Sequence, residues 1–260
     1  MKFLTPLLLL PAQSYVYVVL ICFGFYLRRW RVALWYALII MMFDSVLCRV
    51  LKMHWAHPLN PQLGILDYAL PSGHTFAATG FYTALAYVTR QPLFLIAIPV
   101  LSGGLVLSGY HNCEEVISAC FISWALFPWQ CILLRRCSHR YNYLWLLSLP
   151  LFVLLYYVPN HSIPPHRIAP HWFSVGILLA VTYPQVDFTL PHDDFLTAFL
   201  AILGGLSLPA AQYMYTLYAH PCWYFTAGLS FSLWVLHGAP LVAKHLRLYA
   251  YPASLSGMCR

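Results

Sequence analysis

Charge is what this chain has least of. Only 8% of its 260 residues are Asp, Glu, Lys or Arg, against about a quarter in soluble domains. Just 7 are acidic, and they form no cluster with the spacing of a divalent-cation site. The 8 cysteines include no Cys-x-x-Cys pair, so neither a zinc site nor a disulfide framework is indicated. The 14 basic residues are dispersed rather than gathered into a patch, which argues against a nucleic-acid partner. Long polar stretches are missing as well, so no second core is expected and residues 1–260 read as a single integral domain.

What fills the chain is apolar: 61% of the residues are hydrophobic. Lipid cannot satisfy backbone N–H and C=O groups, so the expected class is an all-α polytopic membrane bundle. Nine spans are predicted, at about 3–27, 32–51, 72–88, 93–110, 114–134, 144–158, 168–183, 195–218 and 223–244. Lys2 with the following leucines resembles a signal peptide, but cleavage near residues 12–14 would leave too little to span, so an uncleaved first helix is expected. Threading the spans alternately puts Arg28, Arg29, Arg31, Arg90, Arg135, Arg136, Arg140, Lys244, Arg247 and Arg260 on one side. Lys2, Arg49, Lys52 and Arg167 fall on the other. The richer side should be cytoplasmic, with the N-terminus outside and the C-terminus inside. Asp44, within the second span, needs a partner from a neighbouring helix, and Gly204-Gly205 reads as a place of close helix packing.

Three polar islands then share the extracytoplasmic side. Lys52 follows the second span, with His54 and His57 behind it. Pro71-Ser72-Gly73-His74 opens the third. A Ser-Gly pair on a first helical turn leaves amides free to close around an oxyanion, and His74 beside them is able to move a proton. His111 precedes Glu115 by four residues, which puts both on one helix face. Each island also has a plainer explanation: a capped helix start at Ser72, an interfacial ion pair at His111–Glu115, and basic side chains reaching the headgroups at Arg49 and Lys52.

Taken in order, the islands resemble the type 2 phosphatidic acid phosphatase superfamily, which includes lipid phosphate phosphatases. That family shows a lysine, six residues and Arg-Pro; then Pro-Ser-Gly-His; then Ser-Arg, five residues, His, three residues and Asp. The resemblance covers residues 52–119, within a catalytic core of about 32–134, with additional membrane helices over 143–245. It implies hydrolysis of a lipid phosphomonoester or pyrophosphate at the extracytoplasmic face of a bacterial inner membrane, without a metal or other cofactor. Carried over by position, His111 is the nucleophile, Glu115 its orienting carboxylate and His74 the acid and base. Lys52, Ser72 and Gly73 hold the phosphoryl oxygens.

This chain departs from the family at both clamping arginines, since Leu59-Asn60 stands for Arg-Pro and Gly104-Leu105 for Ser-Arg. Arg49, one turn before Lys52, is the nearest substitute cation, with His54, His57 and Arg167 on the same side. The departures keep open a second reading, a degenerate relative that binds or moves lipid phosphate without hydrolysing it. A histidine-ligated redox centre using His54, His57, His161, His166 and His171 is a weaker third, because their spacing is unspecific.

Overall fold

Most helices in the first half of the chain are apolar on all sides rather than along one stripe, the pattern of segments surrounded by protein or lipid. The computed structural model describes residues 7–26, 31–63, 67–136, 195–204, 226–227, 229–231 and 233–250. Among these the structure is mostly helical and contains no strand. The helices are α1 (Ser14–Tyr26), α2 (Arg31–Trp55), α3 (Gly73–Thr89), α4 (Ala97–Leu107), α5 (Cys113–Arg136), α6 (Phe195–Gly204) and α7 (Ala239–Ala250). A π-helical turn, Trp234–Gly238, leads into α7. The spans predicted at 144–158 and 168–183 lie outside the described residues.

Helix α3 is the centre. It packs most extensively along α2 and next along α5, and Phe76, Phe81 and Leu85 on it are fully buried. Its approach to α2 depends on Gly80, where a Cβ would overlap the Asp44 carboxylate and come within 2.9 Å of Ile40 Cγ2. Asp44 in turn accepts hydrogen bonds from Ser123 Oγ, at 2.9 Å, and from Gln130 Nε2, both on α5. One buried carboxylate therefore joins α2 to α5 beside a glycine of α3, the neighbouring-helix partner the sequence called for. At Gly204, which the sequence marked for close packing, a Cβ would collide with the Trp234 indole, whose Nε1 donates to the Leu200 carbonyl at 3.1 Å.

Helix α5 differs from its neighbours in what it shows outward. Its segment Cys113–Ile132 is long and apolar enough to cross a membrane, and Ile117, Phe121, Trp124 and Trp129 on it are exposed. Two boundaries depart from expectation. The continuous helix predicted over 3–27 is broken at Gln13, after a 3-10 turn at Leu10–Ala12 that holds Pro11, a residue without an N–H to donate. The break leaves the Pro11 carbonyl free to accept from Tyr82 Oη at 2.9 Å. Lys52 lies in the last turn of α2 rather than beyond it, because nothing stops the helix before Ala56 turns left-handed at φ 48°.

The connection from α2 to α3 folds back over the end of α2. Pro58 and Tyr68 form an isolated antiparallel bridge, with Leu59 N donating to the Asp67 carbonyl at 2.9 Å and Ala69 N to the His57 carbonyl at 2.8 Å. This fold-back hangs Asp67 and Tyr68 beside Arg49 and Lys52. A cavity of about 510 Å³, lined by Tyr36, Tyr87, Arg90 and Phe127 among others, lies at the opposite end of α3. Tyr87 is thirteen residues from His74, about 20 Å along a helix, so that cavity is separate from the polar islands.

Candidate functional site

The head of α5 is built around Glu115. Asn112 precedes the helix, and its Oδ1 accepts from Glu115 N at 2.8 Å while Glu115 Oε2 accepts from Asn112 N at 3.2 Å. This reciprocal capping satisfies two amides that a helix start leaves open. The same Oε2 lies 2.6 Å from His111 Nδ1, and both residues are buried. A proton on Nδ1 bonded to the carboxylate leaves the lone pair on Nε2. Burial holds the His111 imidazole below the ordinary histidine pKa, and the Lys52 charge pushes the same way against the upward pull of Glu115. A neutral ring with a bare Nε2 is a nucleophile at near-neutral pH.

Glu115 also fixes the second island, because its backbone carbonyl accepts from Ser72 N at 3.0 Å. That bond corrects one detail of the expected anion cradle: the Ser72 amide is engaged. Gly73 and His74, as the first helical residues, retain amides with no carbonyl one turn back. The Ser72 side chain does not cap its own helix; its oxygen accepts from Thr75 Oγ1 at 3.1 Å, and its own proton remains to be donated. Residue 73 faces α2, since a Cβ there would lie 3.8 Å from Lys52 Cε and 3.9 Å from Cys48 Sγ. His74 is exposed. Its ring and that of His111 both flank Tyr110, at centroid distances of 6.3 and 5.4 Å, and His74 lies within range of the charges of His111 and Lys52.

The third island adds two buried cations. Lys52 Nζ donates to the Tyr68 carbonyl at 2.6 Å. Arg49 Nη1 lies 2.6 Å from Asp67 Oδ1, which also accepts from Tyr68 N at 2.8 Å. Burial raises the Asp67 carboxyl, but the charges of Arg49 and Lys52 and these hydrogen bonds outweigh it and hold the pKa below the usual carboxylate value. His57 stands at the rim, half exposed, with Nδ1 4.0 Å from Glu115 Oε1.

The structure thus gathers Lys52, Ser72, Gly73, His74, His111 and Glu115 into one neighbourhood and ties in Arg49 through Asp67. His54 is exposed, while Arg167, His161, His166 and His171 lie outside the described residues. At the two positions where the family carries arginine, Leu59 and Leu105 are buried apolar residues. Among the described residues no three His, Cys, Asp or Glu side chains converge as a metal site would require. The sequence reading missed Asp67, Tyr68 and Tyr110. Asp67 had a signal, as a rare acid between two basic islands. The Asn-x-x-Glu cap at 112–115 was also readable. Comparison with protein-family models, curated proteins and solved structures gives no match for this chain.

Proposed function

We propose that this protein is a membrane-embedded lipid phosphatase resembling the type 2 phosphatidic acid phosphatases. It acts on a phosphomonoester or pyrophosphate at the extracytoplasmic face. The observation that carries the reading is the 2.6 Å bond between His111 Nδ1 and Glu115, made beside Lys52 and the open amides of α3. Helices α1 to α5 are taken as the first five of nine spans, which puts the α2–α3 connection and the α4–α5 turn on the same outer side. At 25 residues, α2 is about 37 Å long, the length that a span needs.

In this scheme the phosphoryl group sits between Lys52, the Ser72 hydroxyl and the Gly73 and His74 amides. Nε2 of His111 attacks phosphorus, the P–O bond to the lipid breaks, and His74 gives its proton to the departing alkoxide. Glu115 stabilises the charge that grows on the ring. His74, now neutral, takes a proton from water, whose oxygen displaces His111 and releases inorganic phosphate. Every charge that develops meets a fixed donor, so no cofactor is needed to close the cycle. Arg49 stands in for the absent clamping arginines.

The second reading, a lipid-phosphate binder that does not turn over, is favoured by buried Leu59 and Leu105 at the clamp positions. Each lost charge-assisted contact removes about 1.5–3 kcal/mol, about ten- to a hundredfold in rate. Phosphate release from a panel of isoprenoid, glycerol and sphingoid phosphates separates the two. The catalytic reading expects turnover by the wild type that His111→Ala abolishes, whereas equal background from both proteins supports the binder.

A further inference from the structure

Arg49 is buried, at 3% exposure, and its three nitrogens are not equivalent. Nη1 is held by Asp67. Nε and Nη2 are buried and have no hydrogen-bond partner among the described residues. In a guanidinium these two nitrogens share one edge and point their N–H bonds in parallel, the spacing that matches two oxygens of a phosphate or carboxylate. An ion pair with Asp67 uses one nitrogen and leaves the charged fork facing no acceptor, an arrangement that native proteins seldom tolerate in buried groups. The fork is held in place. The Asp67 oxygen that grips Nη1 also accepts from Tyr68 N, and the Asp67 carbonyl accepts from Leu59 N. One turn on, Lys52 is tied to the Tyr68 carbonyl and keeps two further N–H bonds to donate.

We propose that the Nε–Nη2 edge of Arg49 is a bidentate seat for two oxygens of a terminal phosphoryl group, that Lys52 takes a third oxygen, and that Asp67 is the positioning residue that aims the edge. The inference rests on the phosphate reading above and sharpens it, because it names what selects the substrate. A phosphomonoester or the end of a pyrophosphate offers three non-bridging oxygens and fills all three positions. A phosphodiester offers two and leaves one cation unmatched. The Arg49 fork and Lys52 together are therefore a filter for terminal phosphate over the diesters that make up the surrounding bilayer.

The test uses the full chain in detergent or nanodiscs, with inorganic phosphate as the terminal probe and dimethyl phosphate as the diester. Titration calorimetry should show wild type binding phosphate more tightly than dimethyl phosphate. Arg49→Lys keeps the charge but loses the fork, and should weaken phosphate about ten- to a hundredfold; dimethyl phosphate, whose two free oxygens also fit the fork, should weaken with it. Asp67→Asn should show a smaller loss in the same direction. Equal phosphate affinity in wild type and Arg49→Lys would overturn the proposal. Should the variants fail to fold, the wild type still decides the matter by NMR: one arginine Nε–H resonance is expected to move as phosphate is added, and no movement of any such resonance rejects the seat. The two readings fail separately. Phosphate binding through Arg49 without turnover sinks catalysis alone, whereas turnover with unchanged kinetics in Arg49→Lys sinks the seat alone.

Discussion

Glu115 is engaged through Oε2 and through its backbone carbonyl. Its carboxylate takes protons from His111 Nδ1 and Asn112 N, and its backbone carbonyl takes one from Ser72 N. Removing the charge while keeping the shape isolates what the carboxylate does for His111. In Glu115→Gln the loss of a charge-stabilised imidazole should lower kcat by about a hundredfold or more, with a smaller effect on KM. The pH profile supplies a second readout. Because burial and Lys52 keep the His111 pKa below its ordinary value, the ring stays neutral as pH falls past about 6.5, and the acid limb of kcat/KM should lie below that point. Glu115 pulls that pKa upward, so in Glu115→Gln the limb should move to still lower pH. A limb that shifts upward, or does not move, would show that another group titrates. At this scale the pairing of His111 with Glu115 was legible in the sequence but its cause was not: His111 lies before the helix that starts at Cys113, and it meets Glu115 across the Asn112 cap rather than on a shared helix face. The sequence was not legible where a loop decides: Asp67 reaches Arg49 through a fold-back fixed by backbone hydrogen bonds, and no local pattern announces those.

Among the elements, α3 couples the rest. The open amides of Gly73 and His74 are at its start, and its middle carries Gly80 against Asp44. Gly80→Ala should destabilise the protein by about 1–3 kcal/mol, since the added methyl must displace a buried carboxylate and Ile40 together. Asp44 cannot move without loosening Ser123 and Gln130 on α5, so the variant should also show reduced activity although it lies two turns from His74. Thermal unfolding and turnover measured on the same preparation check both effects; a midpoint equal to the wild type would mean that the helices part easily there. The predicted spans 72–88, 93–110 and 114–134 coincide with observed helices to within a few residues at most ends, because the length of an apolar run carries that information. The break at Gln13 escaped the same reasoning, although Pro11 followed by the polar pair Gln13-Ser14 interrupts the apolar run at that point. So did the extension of α2 through Lys52, where only backbone conformation at Ala56 sets the end.

Residues drawn from the end of α2, the start of α3 and the start of α5 meet at one end of the bundle, about 20 Å along α3 from the cavity near Arg90. Polar residues buried there, Arg49, Lys52, Ser72, His111 and Glu115, cost folding free energy that an apolar end would not. Such a concentration is expected where a charged ligand is handled, and a covalent intermediate is what distinguishes handling by catalysis from handling by binding. The most direct measurement is to mix the protein with a lipid substrate carrying radiolabelled phosphate, denature it within milliseconds at alkaline pH, where phosphohistidine survives, and locate the label. The account expects label on the wild-type peptide containing His111 and none on His111→Ala. Label at another residue, or equal label on both proteins, would contradict it.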